Sequence, residues 1–478
     1  TTAEVAALEH FVGQDRAVAA LEFALSCDSR GFNVFCTGDA GLGKRAATLA
    51  AIRPRADAAP TPDDWCYVNN FEDPVRPRAL ALPAGMGRAF RDDVAGLVDA
   101  LAQEIPHGFA SDEYAAHRRR LAERLEQFRR VRFERAAEAA RERGVASLET
   151  PQGVMLAPLR GGKVLTPEQL AQLTPEESAE YERNRRESER LVLDALRDVA
   201  AESARLQEEL HELNAAVVQA ALAGAMSLLR DRYGEYPGAI AYLRAMEADL
   251  LQLVSGAVAS ASDRDPRESA ANLLADPEFH ARYAINLFVD RSATAGAPVV
   301  EETHPTVANL FGRMEHRLDE GSWATDVTLL RPGALHRANG GYLLLDAWEV
   351  LTRPFAWRQL MRVLTAGELR FESPADQGVA VSPVTLEPEP IPLRVKVVLF
   401  GPRHVYYSLR AQDPAFSELF KVQADFADAV DRTPEAEQAY ARFISTIVRS
   451  EGLPHATAAA AAALVDQGSR IAGEQDRL

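Results

Sequence analysis

The chain has 478 residues, more than one ordinary hydrophobic core accommodates, so two to four domains are expected. Its 70 acidic and 53 basic residues give a formal charge of −17, and 47% of its residues are hydrophobic. That balance suits a soluble globular protein and opposes attraction to phosphate backbones or anionic lipid, so neither nucleic acid nor membrane is an expected partner. Cys27, Cys36 and Cys66 lack C-x-x-C spacing, which suggests neither a disulfide framework nor a zinc site, and a reducing, cytoplasmic compartment is the expectation. No stretch approaches the ~20 apolar residues of a membrane span, and no charged-then-apolar signal segment opens the chain. The first residue is Thr1 rather than Met, so further sequence before it is expected.

In chain order, a helical pattern in VGQDRAVAALEFALS leads to the apolar run FNVFCT, then to GDAGLGKRAA, a helix from about Lys44 and a strand-like WCYVNN. GDAGLGKRAA has the spacing of a phosphate-binding P-loop, in which Gly38, Gly41 and Gly43 let backbone N–H groups surround an anion at a helix start. Arg45 stands where a hydroxyl residue normally ligates Mg²⁺. From about Met86 to Leu251 the chain turns to Arg/Glu-rich helix. There Val192, Leu196, Val199, Leu206, Leu210, Leu213 and Val217 keep three-and-four spacing, the seam of a coiled-coil-like helix expected to pack on the helix from Arg118 to Arg143. Thr166-Pro167 with Gln169 and Thr174-Pro175 with Glu177 are capping boxes. A helix from about Pro175 to Arg230 would be roughly 80 Å long at 1.5 Å per residue. GVMLAPLRGGKVL reads as a hairpin with a glycine turn.

Strand-like runs return in ARYAINLFVD, HPTVANLFGRMEHR, GGYLLLD and LRVKVVLF, separated by helical or proline-rich pieces such as SPADQGVAVSPVTLEPEPIP. After Pro434 the pattern is helical and Ala-rich. The expected organisation is α/β plus all-α: residues 1–85 and 283–433 as two parts of one α/β domain, 86–282 as a helical, coiled-coil-like insertion with a β-hairpin, and 434–478 as a small helical domain.

Together, FVGQDRAVAALEFAL, GDAGLGKRAA, YVNNFEDPVRPRALALPAG, NLFGRMEH, RPGALHRANGGYLLLDAW, VKVVLFGPRHVYYSL, FKVQADF and GSRIAGEQDRL resemble the AAA+ module of Lon-family proteases. The resemblance is to the branch with a large helical insertion, the LonC or Lon-like proteases, and it covers nearly the whole chain. It implies a P-loop AAA+ αβα core interrupted by the insertion. It further implies a homohexameric ring that binds unfolded polypeptide and passes it to a Ser-Lys peptidase domain, expected to follow the small helical domain. No catalytic nucleophile is expected within this chain.

The resemblance also assigns positions. Lys44 matches the P-loop lysine that contacts the β- and γ-phosphates, and Asp346 in GGYLLLDAW the Walker B aspartate that helps hold Mg²⁺. Ala347 replaces the glutamate that activates water, Pro402 replaces the polar first sensor, Lys421 replaces the arginine finger, and Arg470 matches the second sensor. Four groups of the phosphate chemistry are thus replaced, counting Arg45. Trp323 lies where such rings place aromatic loops that hold substrate, and a packed core tryptophan is the alternative. Asp346 is otherwise an ordinary carboxylate or a salt-bridge partner for Arg45, and His304 and His336 are expected to be structural.

The expectation is a degenerate AAA+ module that assembles a ring and admits unfolded polypeptide without ATP hydrolysis. No cofactor is required, ATP or ADP binding is conceivable through Lys44, and Mg²⁺ is not expected. The alternatives are an active ATP-dependent unfoldase using other residues, and a non-enzymatic coiled-coil scaffold on a P-loop fold.

Overall fold

The structure is a computed structural model that describes residues 1–6, 12–150, 153–166, 169, 172–260, 265–319, 322–371 and 386–478. The chain divides into two compact units, one made of Thr1–Val94 with Tyr283–Leu478 and the other of Ala95–Arg282.

The first unit is built on a five-stranded sheet whose strands run Val422–Asp425, Val34–Thr37, Lys396–Gly401, Tyr342–Asp346 and Val299–Glu302 across the sheet, every neighbouring pair parallel. Parallel strands are covered on both faces, and the side-chain alternation shows it. Phe35, Leu343, Leu345, Val397 and Leu399 pack into one apolar cluster with Leu360 and Phe416. Val34, Cys36, Leu344, Val398 and Phe400 pack into the other with Leu21 and Ile52. The helices Asp15–Ser26 and Lys44–Ala58 contribute to the second cluster, and Ala356–Ala366 and Arg403–Gln412 to the first. FNVFCT, GGYLLLD and LRVKVVLF are thus strands of one sheet. A three-stranded antiparallel sheet, Arg78–Leu82, Asp64–Val68 and Asn286–Val289, contains WCYVNN and the run from ARYAINLFVD.

HPTVANLFGRMEHR departs from the strand-like expectation. Val307–Phe311 is helical because the Thr306 side chain accepts from the Asn309 N–H and caps it, and only Arg313–Met314 and the terminal Arg317 are extended. The proline-rich stretch falls partly outside the described residues, at 372–385. The C-terminal part of the first unit carries two helices, Pro434–Ser450 and Ala458–Ala472, capped by Thr433 and Thr457.

The second unit is dominated by Pro175–Tyr233, a helix of 59 residues that begins at a complete capping box of Thr174 and Glu177. The reciprocal bonds of the other box, Thr166 with Gln169, are also present, though Pro167 lies outside the described residues. The long helix packs on Asp112–Glu142, as the seam requires, and on Pro237–Ser260. Val192 and Leu206 are buried, but Leu196 is exposed, and deeper along the helix the contact shifts to Val218, Leu222 and Met226. Buried positions every fourth residue drift around a helix of 3.6 residues per turn, which is why the later part of the expected seam is displaced by one position. Arg124 pairs with Glu202 and Glu209, and the Tyr114 hydroxyl donates to Asn214 Oδ1 at 2.8 Å. Contrary to the expectation from the sequence, the same helix is long and apolar enough to meet a length-and-composition criterion for crossing a membrane. Core helices of soluble proteins meet it as well. GVMLAPLRGGKVL forms the hairpin Gly153–Arg160 with Lys163–Val164, turned at Gly161 and Gly162, both at positive φ.

Candidate functional site

The candidate site lies at the carboxyl ends of the parallel strands, the side on which open α/β sheets hold their ligands. Strand Val34–Thr37 leads into Gly38, Gly41 and Gly43 with φ of 138°, 89° and 72°, and the helix Lys44–Ala58 begins directly after. A side chain at Gly38 would be strained by its positive φ, and a Cβ there would lie close to Leu42, at 2.9 Å, and Phe426, at 3.1 Å. Positive φ at all three glycines is the backbone freedom that an anion-cradling loop uses.

The side chains around it point to another use. Lys44 turns its ammonium back onto the carbonyls of Gly38, at 2.6 Å, and Asp39. Partial burial pulls that ammonium below the usual lysine range, while the carboxylates of Asp39, Asp346 and Asp428 act in the other direction. Arg45 forms an ion pair with Glu301 on the edge strand and lies 5.5 Å from the Phe400 ring centroid. The pairing of Arg45 with Asp346 that the sequence suggested is therefore corrected: Glu301 takes Arg45. Asp346 is engaged at the end of its own strand, where Oδ1 accepts from the N–H groups of Trp348 at 2.9 Å and Glu349 at 3.3 Å and caps the helix Ala347–Thr352.

Ala347 is fully buried in the cluster with Phe35 and Leu399. Pro402 caps the start of Arg403–Gln412 without a side-chain bond. The next residue, Arg403, was not singled out from the sequence. Its guanidinium pairs with Asp425 at 2.8 Å and with Asp428, and it also donates to the Phe426 carbonyl. The Thr37 hydroxyl donates to the same Asp425 oxygen at 2.8 Å. Glu301, Asp425 and Asp428 were equally missed. An arginine directly after GP and two acids spaced three apart in ADFAD were the available signals, but their meeting needs the parallel register that sets Thr37 beside Asp425.

The remaining candidates lie elsewhere. Lys421 precedes strand Val422–Asp425, at the amino end of the sheet, on the order of 15 Å from the glycine loop at ~3.3 Å per residue. Its ammonium is 5.2 Å from the Phe32 ring centroid. Arg470 is exposed on Ala458–Ala472, and among the described residues no hydrogen bond or ion pair joins it to the loop. Trp323 is 53% exposed on a short hairpin, Arg317–Asp319 with Ser322–Ala324, directly opposite Leu318 at 65%. A packed core tryptophan is excluded. His304 is exposed beside Arg353, at 3.1 Å. His336 is buried, accepts the Gly333 N–H at 3.2 Å and stacks on Phe371.

Against known families, residues 295–427 match the LonB-like AAA domain and residues 64–97 match the Lon-like LonC helical domain. These matches support a Lon-family AAA+ module. The matched AAA segment holds Glu301, Asp346, Ala347, Arg403, Lys421 and Asp425. A Lon protease homolog of Escherichia coli (strain K12) is 29% identical over 32% of this chain and 25% of its own length. The archaeal Lon protease of Halobacterium salinarum is 25% identical over 40% of this chain and 27% of its own. The chain thus spans about a quarter of the length of these Lon relatives. A crystal structure of NtrX from Brucella abortus aligns over 27% of this chain and 26% of its own at 19% identity, with a TM-score of 0.19, a likeness too low to bear on the fold.

Magnesium and a nucleoside triphosphate are the groups such a module implies. The residues present do not fit the metal. A guanidinium held by Glu301 stands in place of the hydroxyl ligand, and one Asp346 oxygen already serves a helix N-terminus.

Proposed function

We propose that this Lon-family module works without ATP hydrolysis: it assembles a homohexameric ring and admits unfolded polypeptide toward a Ser-Lys peptidase domain on the same polypeptide. The observation that carries this reading is the pairing of Arg45 with Glu301 beside a Lys44 ammonium spent on its own loop's carbonyls. Internal charges occupy the two functions a nucleotide would need, metal ligation and phosphate neutralisation. Buried Ala347 supports the same reading, because no side chain there reaches a water. Entry would then be passive and restricted to chains already unfolded. The exposed Leu318 and Trp323 pair on a short hairpin offers apolar contact to such a chain. The small helical domain at 434–478 and the insertion at 86–282 are assigned on the family resemblance.

The test is steady-state turnover of ATP with Mg²⁺. Turnover is expected to stay at the background level, with Lys44→Ala indistinguishable from the parent. Hydrolysis that Lys44→Ala abolishes would instead establish the ATP-driven unfoldase. Sedimentation that finds no closed ring would favour a scaffold.

A further inference from the structure

Among the described residues, one strand of the helical unit has an open side. Gly153–Arg160 pairs with Val145–Thr150 along Gly153–Pro158, and on its other side with Lys163–Val164 only at Leu159 and Arg160. A hydrogen bond from the Leu165 N–H to the Pro158 carbonyl ends that second ladder, whereas the Leu159 N–H faces the first side and donates to the Gly144 carbonyl. Residues of an antiparallel strand alternate between their two neighbours, so Val154 and Leu156 direct their N–H and C=O groups to the open side. Among the described residues no strand pairs with them.

Exposed edges are ordinarily blunted by charge, by proline or by a bulge. Gly153–Ala157 has no charged residue, and Pro151 and Pro158 stand only at its ends. Met155 is 53% exposed and Val164 is 42% exposed. Met155 and Leu159 share a face by the two-residue period, and Val164 lies opposite Leu159, so the open edge borders an apolar face. A thioether adapts to many apolar neighbours.

We infer that this edge captures an extended, apolar segment of unfolded polypeptide by adding it to the sheet as a further strand. Main-chain hydrogen bonds supply affinity without reading sequence, and Met155 with Val164 favours apolar side chains. A second copy of this chain is a poorer occupant, because two such short strands side by side bury far less than the ~1,000 Å² of a stable interface. The inference rests on the proposed handling of unfolded polypeptide and adds where and how such a chain is held.

The test is fluorescence anisotropy of labelled, reduced and carboxymethylated α-lactalbumin, a permanently unfolded probe, titrated with the full chain. Leu156→Pro removes an outward N–H and leaves the ladder to Val145–Thr150 intact. It is expected to weaken binding about fivefold, the equivalent of one hydrogen bond, with unchanged helical circular dichroism. Met155→Lys keeps the backbone, adds a charge at the edge and is expected to weaken binding to a similar degree. If the parent binds and both folded variants bind equally well, the edge is not the capture site and the proposed function stands. If the parent does not bind at all, both fall. A parent dimer that these variants dissociate in sedimentation would give the edge to a second copy and overturn the inference.

Discussion

Ala347 is the residue at which the proposed loss of nucleotide chemistry meets the packing of the core. A Cβ at Gly401 would lie 3.3 Å from the Ala347 methyl, so a longer side chain at 347 meets packed core rather than a water. Ala347→Glu is expected to lose about 3 kcal/mol of stability in urea denaturation, from overpacking and an unpaired buried carboxylate. A variant of parental stability that binds Mg²⁺ and nucleotide would contradict the packing argument. His336 gives a second residue-scale expectation. Burial, with Arg337 adding to it, pushes its pKa down from 6.5 to about 3, so the folded state keeps the ring neutral where the unfolded chain protonates it. The stabilisation is present above pH 6.5 and is lost as the pH falls toward 3, by up to about 1.4 kcal/mol per pH unit. His336→Gln should flatten that part of the stability profile, and an identical slope in parent and variant would remove His336 as its source. The glycine loop, Lys44 and Arg45 were legible in the sequence because they are adjacent. The partner of Arg45, Glu301, was not, because it comes from a strand far along the chain.

At the scale of elements, legibility followed local periodicity and capping. The long helix could be read because Thr174, Pro175 and Glu177 announce its start and its apolar residues repeat over many turns. Thr174→Ala removes an acceptor from the Glu177 N–H and should cost about 1 kcal/mol in the unfolding of the helical unit followed by circular dichroism. No change would mean that the first turn is frayed. Short elements escaped. Val299–Glu302 is a four-residue strand ending in two acids, and it is a strand because Tyr342–Asp346 pairs beside it, not through its own pattern. The helix Val307–Phe311 was masked by β-branched and aromatic residues, and the Thr306 cap decided it.

For the whole molecule, two units with separate interiors predict unfolding that is not two-state. Trp65, Trp323, Trp348 and Trp357 all belong to the unit with the sheet, whereas the long helices of Ala95–Arg282 contribute strongly to the far-ultraviolet signal. Tryptophan fluorescence and circular dichroism should therefore give separate transitions in guanidinium chloride. Superimposable curves would show that the units unfold as one.

The order of strands in the sheet bears on how the chain is made. Val34–Thr37 lies inside the sheet, yet its two neighbours are Lys396–Gly401 and Val422–Asp425, with the whole helical unit encoded in between. At ~5–20 residues per second a ribosome leaves that apolar strand without either neighbour for some tens of seconds. The helical unit, local in its contacts, can fold during that wait, while the sheet that shapes the glycine loop closes only near the end of synthesis. A nascent chain of this protein would therefore carry an exposed, slow-to-pair segment of the kind that chaperones shield, in a molecule proposed to handle unfolded chains itself.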